Sequence, residues 1–432
     1  MGWLDESTCN FLAVKTIKRE LDKAGFSELR AADPWTLRPG DRRYVIKNDT
    51  AIFAFIVGAA PAAEAGFRII SAHSDSPCFK IKPNPEIYGD GGVVSLNVEK
   101  YGGGILSTWF DRPLSISGRV MTRGKDALHP ETHIVDLKRP VATIPNLAIH
   151  FNREVNDGVK LSVQKDMKPV VGYFTPEDIE AQKRDGGIVK CLVAGALGIK
   201  PSDIISSELC LYPAQKAVRT GVNGEYLQSA RIDDLSMAFC ALQALLNCAE
   251  KVYSTEVPSF PDATCVMAIF DNEETGSGTK QGAASPVLAN ILRRISGEGE
   301  DWYRALSHTF MVSADDAHAW HPNYSDKYDP TNHPVIGGGP VIKINANCKY
   351  MTDAYGNAVF AQLCEEAGVK CQYFVNHADV AGGSTLGNIL TSNIDIPGVD
   401  MGCAIWAMHS ACETAGVSDH EDAARVFSRF FS

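Results

Sequence analysis

The sequence predicts an α/β fold: a three-layer α/β/α domain with a central mixed sheet, interrupted by an inserted β-rich domain. Three observations predict it. Short apolar runs, Ile52–Val57, Phe67–Ala72, Thr264–Phe270 and Thr309–Ala314, have the length of buried strands. Leu235, Ala238, Phe239, Leu242, Leu245 and Leu246 recur at helical spacing, as an amphipathic helix between strands requires. From about residue 84 to 206 the pattern changes to glycine clusters (89–92, 102–104), prolines and short alternating runs such as Val159–Val163. The main domain is therefore expected to take residues 1–85 and 207–432, and the insertion 86–206.

The elements follow in order. A first helix is expected over Ser7–Ala24, with Phe11, Val14, Ile17 and Leu21 on one face. The insertion is expected to hold strands and one late helix near Gly187–Leu197. The helix carrying Leu235 has Asp233 or Asp234 suited to its N-cap. A closing helix is expected over Glu421–Phe430. At 432 residues the chain exceeds one ordinary core, which suits two domains.

Charge and cysteine usage narrow the function. A formal net charge of -11 gives no general pull toward nucleic acid or anionic membranes. The N-terminal MGWLDE lacks the basic and apolar regions of a secretory signal. Twelve cysteines, none in C-x-x-C spacing, suit a reducing compartment, so the expected location is the cytoplasm.

The chemistry gathers where the strands end. Phe67–Ala72 runs into His73-Ser74-Asp75, Thr264–Phe270 into Asp271-Asn272-Glu273-Glu274, and Thr309–Ala314 into Asp315-Asp316-Ala317-His318. The amphipathic helix is entered through Asp233-Asp234, and His409 follows an apolar stretch near the C-terminus. Each residue alone has an ordinary reading as a cap, a solvated carboxylate or a structural histidine. Several separate strands ending this way is the arrangement of a shared site, because open α/β sheets bind ligands at the carboxyl ends of their strands. Imidazole and carboxylate are zinc ligands, and a pair of divalent ions needs a bridging carboxylate. Glu273-Glu274 suits a division of labour, one residue on metal and its neighbour moving the proton. Asp75 is placed to accept the second ring N–H of His73.

These residues lie in segments that resemble the aspartyl aminopeptidase family, which includes vacuolar aminopeptidase I. The segments are SAHSDSPCFKIKP (71–83), NLAIHFNR (146–153), RIDDL (231–235), FDNEETGS (270–277), SADDAHAWHPNY (313–324), GGGPVIKIN (337–345), GGSTLG (382–387) and MHS (408–410). They run in the family's order over nearly the whole chain. The resemblance implies an aminopeptidase with two divalent metal ions, zinc first, with manganese or cobalt as alternatives. One ion would be held by His73, Asp233 and Asp315, the other by Asp233, Glu274 and His409, with Asp233 bridging. Glu273 would be general base and acid. Lys343 would receive an acidic substrate side chain, His318 would lie near the scissile carbonyl, and Tyr350 would belong to the substrate-binding positions. His150 would reach a neighbouring subunit's site from the inserted domain, itself the dimer contact of a dodecamer. The substrates would be peptides with a free N-terminus.

Three departures from the family pattern bear on specificity and metal tuning. They are Asp234 where the family usually carries Asn, Pro113 where an acid is common, and the segment around Tyr350. The alternatives are a two-metal aminopeptidase or amidohydrolase of other or broad specificity, and a catalytically silent scaffold or cargo-binding homologue.

Overall fold

The computed structural model describes residues 1–254 and 260–432. The chain divides into two compact units. The larger takes residues 1–75, 217–408 and 413–432, and the smaller takes 76–216 and 409–412.

The larger unit is built on a nine-stranded mixed sheet. Its centre is four mutually parallel strands, Thr264–Phe270, Phe67–His73, Phe310–Ala314 and Gly398–Gly402, in that spatial order. Every residue of Thr264–Phe270, Phe310–Ala314 and Gly398–Gly402 is buried, as parallel strands covered on both faces require. Antiparallel Ala51–Ile56 and Arg42–Lys47 extend the sheet on one side, and Val341–Ile344 and Gln372–Val375 on the other. Two apolar clusters sit against the sheet. One joins Ile17, Leu21, Leu242, Leu245 and Phe427 to Ile70 and Met267, and the other joins Leu288, Leu292 and Trp302 to Phe53, Ile69 and Phe270. Alternate residues of one strand, Ile69 and Ile70, thus face different clusters, and the α/β/α layering follows from that alternation.

The helix Ile232–Ser254 contains non-helical backbone at Asp233 and Asp234, so its regular part begins at Leu235. Leu235, Ala238, Leu242 and Leu245 are buried as their spacing requires, while Phe239 is 37% exposed and lies against Trp3. The first helix proper is Asn10–Lys23, preceded by a short helix at Gly2–Glu6; Ser7 and Thr8 lie outside both. The closing helix starts four residues before its expected position, at Val417.

The smaller unit is a six-stranded antiparallel sheet in the order Glu131–Asp136, Leu114–Thr122, Ile204–Pro213, Cys78–Tyr88, Val93–Tyr101, Val170–Tyr173. Phe79, Trp109, Ile116, Leu211 and Val193 form its core. The expected late helix is present at Ile188–Leu197. A second helix, Pro176–Arg184, was not expected: it buries no residue, so apolar periodicity does not mark it. It forms because Thr175 and Asp178 make a reciprocal capping box ahead of Pro176. Val159–Val163 is not a strand; it is irregular up to Ser162, and Val163 opens the short helix Val163–Asp166.

Candidate metal centre

Strand register sets the site. Ser313 pairs with Ser71 and Phe270 pairs with His73, so His73, Asp315 and the start of 271–274 come level at one edge. Gly402 permits this closeness, since a Cβ there would meet the Asp315 carbonyl oxygen at 1.9 Å.

His73 is wholly buried, and its Nδ1 lies 3.0 Å from the backbone oxygen of Asp75. A carbonyl only accepts, so Nδ1 keeps its proton, and Nε2, 3.6 Å from Asp233 Oδ1, is the nitrogen left to a metal once its own proton is displaced. The Nδ1–H form is the tautomer a metal-ligating histidine needs. The ring was expected to be oriented by the Asp75 carboxylate. That carboxylate stands further off, at 3.4 Å, and accepts instead from the backbone N–H groups of Glu273 and Glu274, each at 3.2 Å. Asp75 therefore positions the Glu273-Glu274 turn as well as His73.

His73, Asp233, Asp234 and Asp315 each bring one ligand atom within 4.8 Å of the others, all four residues being buried. Asp233 and Glu274 bring carboxylate oxygens within the same distance of each other. The Asp233–Asp234 peptide is cis. Asp234 Oδ2 accepts from the His73 backbone N–H at 3.0 Å, and its Oδ1 is buried with no hydrogen-bond partner. Lys343 is buried, with Nζ 3.7 Å from Asp315 Oδ2, donating to the Asp316 carbonyl at 2.9 Å and 5.7 Å from the Tyr350 ring centre. Tyr350 is buried and His318 is exposed, its ring against Phe374.

Two predicted residues belong to the smaller unit. His409 takes a positive φ of 69°, its carbonyl accepts from Ile105 N–H at 3.0 Å, and Gly103 leaves room for its ring. His150 is exposed.

Electrostatics expose what the cluster lacks. Burial, reinforced by neighbouring carboxylates, raises Asp234, Glu274 and Asp315 above the ordinary carboxylate range, and raises Glu273 to about 8. His73 is pulled down by burial, yet Asp234, Asp233 and Asp75 outweigh this and hold it well above its ordinary value. Burial also pulls Lys343 down, but Asp315, Tyr350 and Asp400 leave it raised. So many buried acids facing one lysine and one histidine need positive charge from elsewhere, and the orphaned Asp234 oxygen offers a lone pair to it. The donor set of imidazole and carboxylate fits zinc.

Two supporting residues carry no sequence signal. Glu413 Oε2 accepts the backbone N–H groups of Ile232 and Asp233, at 2.7 and 3.1 Å, fixing the approach of Asp233. Asp400 accepts from Thr385 Oγ1 and the Met351 N–H. Each is a single acid among apolar residues, with no spacing to mark it.

Comparison with known proteins agrees with this geometry. Residues 3–431 match the family described as aminopeptidase I zinc metalloprotease (M18). A protein of Clostridium novyi named Probable M18 family aminopeptidase 2 is 43% identical over 436 residues, covering 100% of this chain and 97% of its own. Among solved structures, the Ape4 and Nbr1 complex contains a chain that matches with a TM-score of 0.93 at 34% identity, covering 100% of this chain and 84% of that one. The S. cerevisiae mApe1 dodecamer matches with a TM-score of 0.86 at 27% identity, covering 100% and 94%. The chain belongs to the M18 family of zinc aminopeptidases, hydrolases that act on peptides.

Proposed function

We propose that this aminopeptidase releases acidic N-terminal residues, Asp and Glu, from peptides with a free amino terminus, using two zinc ions and Glu273 as the proton carrier. The observation that carries the reading is the convergence of His73, Asp233, Asp234 and Asp315 at the carboxyl edge of the parallel strands, with Glu274 beside Asp233. His73, Asp233 and Asp315 would hold one ion, and Asp233 and Glu274 the other; the family resemblance adds His409 to the second set. Bound there, divalent ions polarise the scissile carbonyl and make water a better nucleophile.

The chain's own residues do the rest. Glu273 takes the proton of the attacking water and returns it to the leaving amine, and the Asp75 carboxylate fixes the backbone from which Glu273 projects. The hydrogen bond from Nδ1 keeps His73 in its ligating tautomer. Lys343 uses one N–H on the Asp316 carbonyl, and its other donors suit a substrate carboxylate in surroundings where a charge-assisted bond is strong. Tyr350 packs beside it, and His318 serves the scissile carbonyl.

The same lysine favours a second reading. Asp315, 3.7 Å away, already counters its charge, and a lysine so occupied would leave specificity broad. Kinetics on Asp-, Glu-, Ala- and Leu-terminated peptides separate the two. The acidic reading expects Lys343→Met to lower kcat/KM on Asp and Glu peptides by roughly 10- to 100-fold, with Leu peptides little affected. An equal loss on all four assigns Lys343 to Asp315 instead.

Assembly and location are part of the proposal. The solved dodecamer that this chain resembles supports a homo-oligomer; on the family resemblance, it would be built from dimers, with the smaller unit at the dimer contact and His150 serving a neighbouring subunit's site. The absence of disulfides among the described residues suits the cytoplasm. Sedimentation giving a monomeric mass contradicts the assembly.

A further inference from the structure

We propose that Asp316, Cys403 and His420 form a third metal site, a structural one with three protein ligands that takes a thiophilic divalent cation such as zinc. It uses none of the ligands already described, although Asp316 directly follows Asp315, and it does not rest on the two-metal reading. Asp316 follows the strand Phe310–Ala314, Cys403 follows Gly398–Gly402, and His420 sits in the first turn of the helix Val417–Phe430. Each offers one ligand atom, and these atoms all lie within 4.8 Å of one another.

The histidine supplies the second, independent observation. Its Nδ1–H donates to the Gly416 carbonyl at 2.8 Å, so the ring is fixed as the Nδ1–H tautomer. Nε2 is then a bare lone pair, and it is buried with no hydrogen-bond partner. A buried acceptor left this way is costly unless something occupies it. Burial also holds the imidazole below its ordinary pKa, hence neutral, which is the ligating form.

The other two groups are prepared in the same sense. One oxygen of Asp316 accepts from Ser236 Oγ at 2.7 Å and the other from the Cys403 backbone N–H at 3.3 Å, which orients the carboxylate and leaves lone pairs over. The Cys403 thiol is wholly buried, and burial beside Asp316 pushes it up. A dication reverses that balance: the sulfur binds as thiolate and its proton leaves to solvent. Carboxylate, thiolate and neutral imidazole then cancel the two positive charges. Cys240, one helical turn beyond Ser236, donates its thiol to the His420 carbonyl at 3.4 Å and so helps hold the backbone that carries the imidazole. The site would tie two strand ends of the sheet to the C-terminal helix, a structural role.

Sulfur makes the test specific, because the proposed catalytic ligands are all nitrogen and oxygen. The full-length chain is stripped of metal, titrated with cobalt(II), and read by absorption and metal counting. The site predicts a thiolate-to-cobalt charge-transfer band and a third equivalent of metal. Cys403→Ala should abolish the band and lose that one equivalent while peptide hydrolysis stays near wild type, and His420→Gln should weaken it. If Cys403→Ala does not fold, X-ray absorption at zinc in the wild-type chain decides, with a sulfur neighbour at about 2.3 Å expected. Two equivalents bound only through nitrogen and oxygen overturn this site and leave the catalytic pair standing. A band that survives Cys403→Ala overturns the assignment to Cys403.

Discussion

Carboxylates meet two fates in this molecule. On the solvent-facing sides of helices, acids meet cations: Glu20 accepts from Arg19 and Lys23, and Glu180 from Lys183, and these bonds lower both acids. At the carboxyl edge of the parallel strands, Asp234, Glu273, Glu274 and Asp315 are raised, because burial strips their solvent and the nearest charges are mostly of the same sign. The first arrangement is complete within the chain and worth little to stability. The second is a concentration of negative charge that folding alone does not favour. Such a cluster is stable when cations arrive from outside.

The largest effect that sharpens this contrast is catalytic. Glu273→Gln keeps the shape and removes the proton carrier, so kcat should fall by roughly 10²- to 10⁴-fold while bound zinc stays at the wild-type level. Undiminished turnover removes Glu273 from the mechanism.

Metal removal should act next, and with a defined pH dependence. The cluster's acids are raised on folding, so in the metal-free chain they stabilise the fold below their ordinary range. That contribution is lost as pH climbs from the usual glutamate range toward about 8, the value reached by Glu273. Zinc removes the penalty by favouring the ionised forms. The rise in Tm on adding zinc should therefore be larger at pH 8 than at pH 5. An increment that shrinks as pH rises contradicts the charge argument.

Smaller in scale is the support beneath Asp233. Glu413→Ala leaves two buried backbone N–H groups without their acceptor, at a cost of about 1–3 kcal/mol for each. Thermal unfolding should show a lowered Tm, and zinc should bind more weakly. Smallest of all, Glu180→Ala on the exposed helix should leave both Tm and activity unchanged.

What could be read in the sequence follows the same division. Thr264–Phe270 and Phe67–His73 announce themselves as short, mostly apolar runs, and the acids that follow them come directly after those runs. Pro176–Arg184 is hidden because an exposed helix needs no apolar stripe; its Thr175 cap, Pro176 and terminal charges were the available signal. Asp234 was legible as a departure from the family pattern, but only the fold places one of its oxygens, without a partner, among the ligands. Glu413 and Asp400 act across 181 and 49 residues of chain, and no local pattern encodes a partner at that separation.

The most direct test of the central claim is anomalous scattering from crystals of the metal-free protein soaked with zinc. Two zinc peaks about 3.5–4 Å apart among His73, Asp233, Glu274 and Asp315 are the predicted result. Full soaking that leaves those four side chains without a metal peak would contradict it.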